Sequence, residues 1–145
     1  MIVVFIAKDI DVLDAGYDDS AYKPATFGRA YAYSKKLWPC ATLGKTENLF
    51  ITAHGDEDSI GDEDSTPGKG PVIDLNADQL AGIIKAILPG GYTGNIYIST
   101  CNSFKIAQAV AEKLGMLVGG DVYGTKNSID YAIQTPSGSN WSLAG

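Results

Sequence analysis

Leu49-Phe50-Ile51-Thr52-Ala53-His54-Gly55 is the stretch of sequence that decides the fold. It is an apolar block of strand length, rich in residues that favour β-structure, and it ends in a histidine followed by a glycine. The block Ile96-Tyr97-Ile98-Ser99-Thr100-Cys101 has the same pattern and ends in a cysteine, 47 residues after the histidine. Because parallel strands bring their C-terminal ends to one edge of a sheet, we expect His54 and Cys101 to lie together there.

The rest of the chain alternates between predicted strands and predicted helices. Strands are predicted at residues 1–7, 48–53, 94–100 and 116–123, with a further candidate at 128–134. Helices are predicted at residues 25–38, 76–88 and 103–114, the second of which begins with a capping box of Asn76 and Gln79. Residues 9–23, 56–70 and 135–145 are predicted to be irregular. This order predicts an α/β fold, with a mostly parallel central sheet and helices on both faces, in one domain spanning residues 1–145.

The composition argues against two classes of binding partner, nucleic acids and membranes. The net charge of −6 argues against nucleic acid, because phosphate binding requires a surface rich in Lys and Arg. No apolar run approaches the roughly 20 residues of a membrane span, so no membrane partner is expected. The first seven residues are apolar but lack the basic flank of a secretion signal. No cofactor is predicted.

Two cysteines, Cys40 and Cys101, are too few for the disulfide framework of a small secreted protein, although they could form one disulfide. This predicts a reducing compartment, the cytoplasm. The oligomeric state is left open.

His54 and Cys101 together have the chemistry of nucleophilic catalysis. A thiolate is the nucleophile, and an imidazole can take up its proton and later deliver it to a leaving group. The helix predicted after Cys101 would favour the thiolate through its positive end, and Gly55 would let its N–H approach a developing oxyanion closely. Taken alone, the cysteine is better explained as a core residue and the histidine as a polar strand end. Their order and shared placement favour a site.

The two blocks resemble the hallmark of clan CD cysteine peptidases, in which one apolar block precedes His-Gly and a second precedes the catalytic cysteine. This clan includes the caspases, gingipains, clostripain and the self-processing protease domain of large bacterial toxins. The order of strand, His-Gly, loop, helix, strand, Cys and helix is most similar to the toxin domain. At the level of architecture the resemblance covers residues 1–123, and at the level of motif only the two blocks and the helix between them.

The resemblance implies a caspase-like three-layer sandwich and a thiol protease. His54 would be the general acid/base and Cys101 the nucleophile, with the amides of Gly55 and Cys101 as the oxyanion hole. Such an enzyme would hydrolyse a protein or peptide substrate, or its own chain, through a thioester. The same resemblance implies a bacterial effector or toxin-like role, with secretion as the alternative to the cytoplasm.

Several features depart from the family pattern. The cysteine lies in Ser99-Thr100-Cys101-Asn102-Ser103, unlike the caspase motif, and the chain is small. The basic cluster through which inositol hexakisphosphate activates the toxin domains is absent. Caspases hold an aspartate substrate residue with arginines, whereas this chain has only Arg29. Neither the activator nor that specificity is therefore predicted, and the substrate-binding residues stay unassigned.

Residues 56–64 hold six acids in nine positions. An EF-hand loop would need an oxygen ligand in place of Ile60 and a glutamate in place of Pro67, so no such metal site is predicted. A solvated loop is the favoured interpretation, and a looser Ca²⁺ site is the alternative.

Two other functions remain open on the sequence. One is a caspase-like interaction domain in which His54 and Cys101 are relics. The other is a cysteine acyl hydrolase that acts on a substrate other than a peptide.

Overall fold

The fold is seen in a computed structural model that describes residues 1–33, 42–62 and 72–145. The C-terminal part of the predicted helix 25–38 lies outside these residues, as do Cys40 and most of the predicted loop 56–70. The possible disulfide between Cys40 and Cys101 therefore also lies outside the described residues.

Nine strands and four α-helices make up the described chain. The strands are β1 (Ile2–Val4), β2 (Ala30–Ala32), β3 (Leu49–Thr52), β4 (His54–Gly55), β5 (Ile60–Gly61), β6 (Asp74–Leu75), β7 (Ile96–Ser99), β8 (Val122–Thr125) and β9 (Trp141–Leu143). The helices are α1 (Ile10–Tyr22), α2 (Pro24–Phe27), α3 (Ala77–Lys85) and α4 (Phe104–Leu114). Six strands form the main sheet in the order β2-β1-β3-β7-β8-β9, in which only β9 is antiparallel to its neighbour. The prediction of an α/β fold with a mostly parallel sheet is confirmed.

The three central strands are buried over their full length. Every residue of β1, β3 and β7 is buried, which explains why these segments are nearly continuous apolar runs instead of alternating ones. On one face, the Phe50, Tyr97 and Tyr123 rings stack in turn across neighbouring strands, with 4.9 Å between successive ring centroids. This ladder fixes the register of the strands that end at the candidate site.

The helices cover both faces of the main sheet. Gly16 of α1 lies so close to β1 that a Cβ there would be 2.6 Å from Cγ2 of Val4. Gly124 of β8 lies equally close to the first turn of α4, since a Cβ would be 2.8 Å from Cα of Phe104. The strand register places Val4 and Gly124 on opposite faces of the sheet, so α1 and α4 lie on opposite faces too. The expectation of helices on both faces is confirmed.

A second, smaller sheet follows β3 directly. In it β4, β5 and β6 pair antiparallel, with His54 opposite Gly61 and Gly55 opposite Ile60. The prediction that residues 56–70 are irregular was wrong in its first part, because Ile60 is 1% exposed and pairs in this sheet. The two residues that follow the main strand are therefore held by pairing on their other side.

The prediction that residues 9–23 are irregular was wrong, because residues 10–22 form α1. Asp9 caps the helix by accepting a hydrogen bond from the N–H of Asp11. The thirteen residues of the helix include four aspartates spread along its length. Only Val12 and Gly16 are buried in this helix, so the apolar stripe by which a helix is normally recognised is almost missing.

Other boundaries differ from the predictions as well. In the described part of the predicted helix 25–38, the helix ends with the short α2, after which Gly28 adopts a positive φ of 67° and the chain enters β2. The strand predicted at 116–123 starts at Val122, since Gly115–Leu117 is a 3-10 turn. The candidate strand 128–134 is not a strand, whereas residues 141–143 of the predicted loop form β9 at the sheet edge. Two- and three-residue strands carry too little periodicity to be recognised.

Both remaining helices, α3 and α4, lie within their predicted ranges, and the predicted capping box of Asn76 and Gln79 is present in both directions. Among the described residues, no helix has both the length and the apolar character needed to cross a bilayer.

Candidate active site

Three neighbouring strands of the main sheet end at one place. Thr52 of β3 pairs with Ser99 of β7, and His54 and Cys101 each follow that pair by two residues. The two side chains therefore leave adjacent strands, which lie about 4.8 Å apart, at equivalent positions. His54 is mostly buried, with 10% of its side chain exposed, and Cys101 is half-buried.

The third strand end supplies a carboxylate that the sequence analysis did not single out. Asp9 follows β1, the other neighbour of β3, and one of its carboxylate oxygens lies 2.7 Å from Nε2 of His54. The Asp9 side chain is 16% exposed. A short contact between a carboxylate and an imidazole in a largely dry environment fixes the orientation of the ring.

The pKa of Asp9 shows which form this carboxylate takes. Burial by itself would raise that pKa, but the hydrogen bond with His54 and those from the N–H groups of Asp11 and Val12 outweigh burial, so the net pKa is below its ordinary value. Asp9 is therefore ionised at neutral pH and can only accept hydrogen bonds. It follows that Nε2 of His54 carries the proton in this contact, and that Nδ1 is the nitrogen able to exchange a proton with a nucleophile.

Asp62 holds the segment that presents Asp9. Its carboxylate accepts hydrogen bonds from the N–H of Ala7 at 3.1 Å, of Lys8 at 2.8 Å and of Ile73 at 2.9 Å. These bonds join the end of β1 to the small sheet that contains His54. Asp62 was predicted to be part of a solvated acidic loop, and in the structure it is a half-buried acceptor that fixes the backbone just before Asp9.

Gly55 brings the His54 segment against the end of β7. A Cβ at this position would lie 2.6 Å from Oγ1 and 2.7 Å from Cβ of Thr100, and 3.4 Å from the carbonyl oxygen of Cys101. Only a residue without a side chain allows this approach. Oγ1 of Thr100 is buried and has no hydrogen-bond partner among the residues the structure describes.

The turn after Cys101 is fixed from two sides. Asn102 has a positive φ of 54°, a conformation that asparagine adopts more readily than most residues. Next to it, Oγ of the buried Ser103 donates to the carbonyl oxygen of Ile98 at 2.7 Å and accepts from the N–H of Thr125 at 2.9 Å. The cysteine is thus held between the end of β7 and the start of α4, with β8 as support.

Cys101 contacts the backbone of a later segment. The N–H of Ile129 donates to Sγ of Cys101 at 3.3 Å, and Sγ lies 3.6 Å from the carbonyl oxygen of the same residue. Two residues further on, the ring of Tyr131 meets the ring of His54 edge to face, with 5.6 Å between centroids. Sequence reasoning gave no signal for either contact, because both depend on a long irregular connection.

A cleft of about 380 Å³ lies next to Ile129 on the face of the sheet that α1 covers. Ser99 and Thr125 line it at the ends of β7 and β8, and Ile129 separates it from Cys101. The side chains of Trp141 and Ile133 give it an apolar wall, whereas Lys23 and Asp130 bring opposite charges to it.

The acidic run of residues 56–64 is only partly described, since Glu63 and Asp64 lie outside the described residues. Asp56 accepts hydrogen bonds from the N–H groups of Asp58 and Ser59 in a tight turn, and Asp62 is engaged as described above. Across residues 1–33, 42–62 and 72–145, no group of three or more His, Cys, Asp or Glu side chains is arranged to hold a metal ion.

In comparisons with known proteins, no protein-family model matches the chain, and no curated protein sequence matches it significantly.

Proposed function

We propose that this protein is a cysteine peptidase in which Cys101 is the nucleophile, His54 the general base and acid, and Asp9 the residue that orients the histidine. The observation that carries the proposal is the convergence of Asp9, His54 and Cys101 at the ends of three adjacent parallel strands. A buried imidazole held by an ionised carboxylate beside a cysteine is the arrangement that activates a thiol.

The reaction follows from the roles of these atoms. Nδ1 of His54 takes the thiol proton, and Sγ of Cys101 attacks the carbonyl carbon of the substrate. The carbonyl π electrons move to oxygen, and when the tetrahedral intermediate collapses the C–N bond breaks. The leaving amine takes the proton from His54, and a thioester remains on Cys101. A water molecule, deprotonated by His54, then attacks the thioester, releases the acid and restores the thiol.

Gly55 and Cys101 would supply the backbone amides that stabilise the oxyanion. The packing of Gly55 against Thr100 and the Cys101 carbonyl brings the two amides into the same region at the sheet edge. Preorganised N–H donors of this kind are each worth about 10²–10³ in rate in hydrolases where one has been removed.

The fold supports a caspase-like architecture for this peptidase. The parallel core in which β1, β3 and β7 are neighbours, the helices on both faces and the placement of His54-Gly55 and Cys101 after adjacent strands all agree with the resemblance in the sequence. We therefore extend the proposal to a peptidase of the caspase-like type with a protein or peptide as its substrate.

Covalent trapping tests this function directly. The chain would be treated with a library of peptidyl acyloxymethyl ketones that varies the residue next to the reactive carbonyl, and the labelled residue would be mapped by tandem mass spectrometry. We expect labelling at Cys101 that depends on the peptide and is lost in His54→Ala. Labelling that ignores both the peptide and His54 would contradict the proposal. Labelling that is lost in His54→Ala but is the same for every peptide, together with hydrolysis of activated esters, would also contradict the peptidase and indicate an acyl hydrolase with a non-peptide substrate.

A further inference from the structure

Residues 127–133 cross the candidate site. Ile129 presents both its N–H and its carbonyl oxygen to Sγ of Cys101, at 3.3 Å and 3.6 Å. Tyr131 places its ring against His54. Within three residues, one stretch of chain thus contacts both members of the proposed catalytic pair. We call residues 127–133 the strap.

The strap is tethered at both ends. At its start, the carbonyl oxygen of Asn127 accepts a hydrogen bond from the N–H of Asn102, directly after the nucleophile, at 3.1 Å. At its end, the N–H of Ile133 donates to a carboxylate oxygen of Asp19 in α1, at 2.9 Å. Ile133 itself is buried, with 4% of its surface exposed. The two tethers hold the strap across the C-terminal ends of β7 and β8.

The contacts of Ile129 are those that a bound peptide would need. A substrate of the proposed reaction must bring its own backbone to Sγ of Cys101, and in the structure a backbone donor and a backbone acceptor of the strap already face that atom. We propose that the strap is an autoinhibitory segment, which occupies the position of the substrate backbone and must move aside before a substrate can bind. This inference rests on the proposed function, because it concerns regulation of the same site.

The position of the cleft agrees with this role. Ile129, Asp130, Ala132 and Ile133 of the strap form much of the wall of the 380 Å³ cleft beside Cys101. When the strap moves, the space next to the nucleophile opens on the side of that cleft. A side chain of the incoming substrate would then enter where the strap residues now pack.

The Asp19 tether is the one that substitution can release with least damage to the fold. Burial raises the pKa of Asp19, which means that its charged form is held at some cost to stability, with Asp18 and Lys23 as its charged neighbours. Asp19→Ala removes that cost together with the acceptor for Ile133. Asp19→Asn retains an oxygen that can accept from the same N–H. Asp18→Ala changes the exposed neighbour on the same helix and serves as the matched control.

The test is the rate at which iodoacetamide alkylates Cys101, measured in a Cys40→Ser background so that a single thiol reports. We expect Asp19→Ala to raise this rate about fivefold, the effect of losing one net hydrogen bond that keeps the strap closed. Asp19→Asn and Asp18→Ala should react at the rate of the parent. A second variant, Ile129→Gly with Tyr131→Gly, should also raise the rate, and it leaves the Asp19 tether in place.

Equal alkylation rates in the parent and in all of these variants, with folding verified by thermal melting, would overturn the proposal that the strap is autoinhibitory. The measurement needs only the thiol and no peptide turnover. If Asp19→Ala is alkylated faster but no peptide is cleaved, the result would therefore support the autoinhibitory strap and contradict the peptidase function. If peptides are cleaved equally well with and without the Asp19 tether, the result would support the peptidase function and contradict the autoinhibitory strap.

Discussion

Nε2 of His54 lies 2.7 Å from a carboxylate oxygen of Asp9, a contact that joins residues 45 positions apart. The sequence suggested the pair His54 and Cys101, and this contact adds Asp9 as a third group with its own proposed role. The carboxylate fixes the orientation of the ring through Nε2, and in the proposed reaction Nδ1 exchanges the proton of the thiol. The other carboxylate oxygen of Asp9 accepts from the N–H of Asp11, so the residue that holds the histidine also caps the first helix.

The first prediction concerns the tautomer of His54. Asp9→Ser keeps a good N-cap oxygen for α1 but removes the carboxylate from the imidazole. We expect the proton of the neutral ring to be on Nε2 in the parent, and we expect a mixture of tautomers in the variant. Because His54 is the only histidine in the chain, ¹⁵N chemical shifts of the ring report it without assignment.

In the same variant kcat should fall by about 10²-fold, with little change in KM, because the ring is misoriented and the substrate contacts are retained. Asp11→Ser, on the exposed first turn of α1, is the control and should match the parent. A variant at Asp9 with an unchanged tautomer and unchanged kcat would show that the carboxylate has no part in orienting the ring.

The second prediction concerns stability against pH. The pKa of Asp9 is lower in the folded chain than in the unfolded chain, so its ionised form stabilises the fold. This contribution is fully present above the unfolded pKa of about 3.9 and is lost as the pH falls through the lower folded value. Urea unfolding of the parent between about pH 5 and pH 2 should therefore show a steeper loss of free energy than Asp9→Ser. If the free energy of unfolding falls with pH equally steeply in the parent and in Asp9→Ser, ionised Asp9 does not stabilise the fold.

The third prediction concerns the approach of β4 to β7. Gly55→Ala places a Cβ within 2.7 Å of Thr100 side-chain atoms, so it should lower the free energy of unfolding by about 1–3 kcal/mol. It should also abolish cleavage by moving His54 from Cys101. Gly82→Ala in α3, where nothing lies within 4 Å of the added atom, should instead stabilise the chain by about 0.5–1 kcal/mol. Equal effects at the two glycines would contradict the close approach.

The fourth prediction concerns the support of Asp9 by Asp62. Asp62→Ala leaves the N–H groups of Ala7, Lys8 and Ile73 without their acceptor, and we expect a loss of about 2–4 kcal/mol in unfolding free energy. Asp58→Ala removes an acid of the same run whose side chain is 81% exposed and pairs with the exposed Lys105. That control should change stability by less than about 1 kcal/mol. If the two variants lose the same stability, Asp62 does not support the end of β1.

The sequence predicted the core of the fold because the central strands are apolar over their whole length. Every residue of β3 and β7 is buried, so their runs of Leu, Phe, Ile and Tyr stand out from the polar segments beside them. Helix α3 was predictable for a different reason, since the capping box of Asn76 and Gln79 marks its first turn locally. Signals of this kind depend on neighbours in the chain.

The features missed by prediction depend on contacts between distant residues. Asp9 is one acid among several in its segment, and its contact with His54 depends on the helix that it caps and on Asp62, which fixes the backbone before it. An acid directly after a predicted strand, at a possible N-cap, was the available signal. The strap had no such signal, because the contacts of Ile129 and Tyr131 come from an irregular segment whose path only the folded chain defines.

Digestion of a peptide library tests the central claim most directly. The parent chain and Asp19→Ala, in which the strap is released, would each be incubated with peptides derived from a proteome, and new termini would be counted by mass spectrometry beside Cys101→Ala and His54→Ala. We predict new termini with a common sequence preference in the first two chains, more of them in Asp19→Ala, and none in the last two. An absence of cleavage in both the parent and Asp19→Ala, or cleavage that persists in Cys101→Ala, would contradict the assignment of a cysteine peptidase.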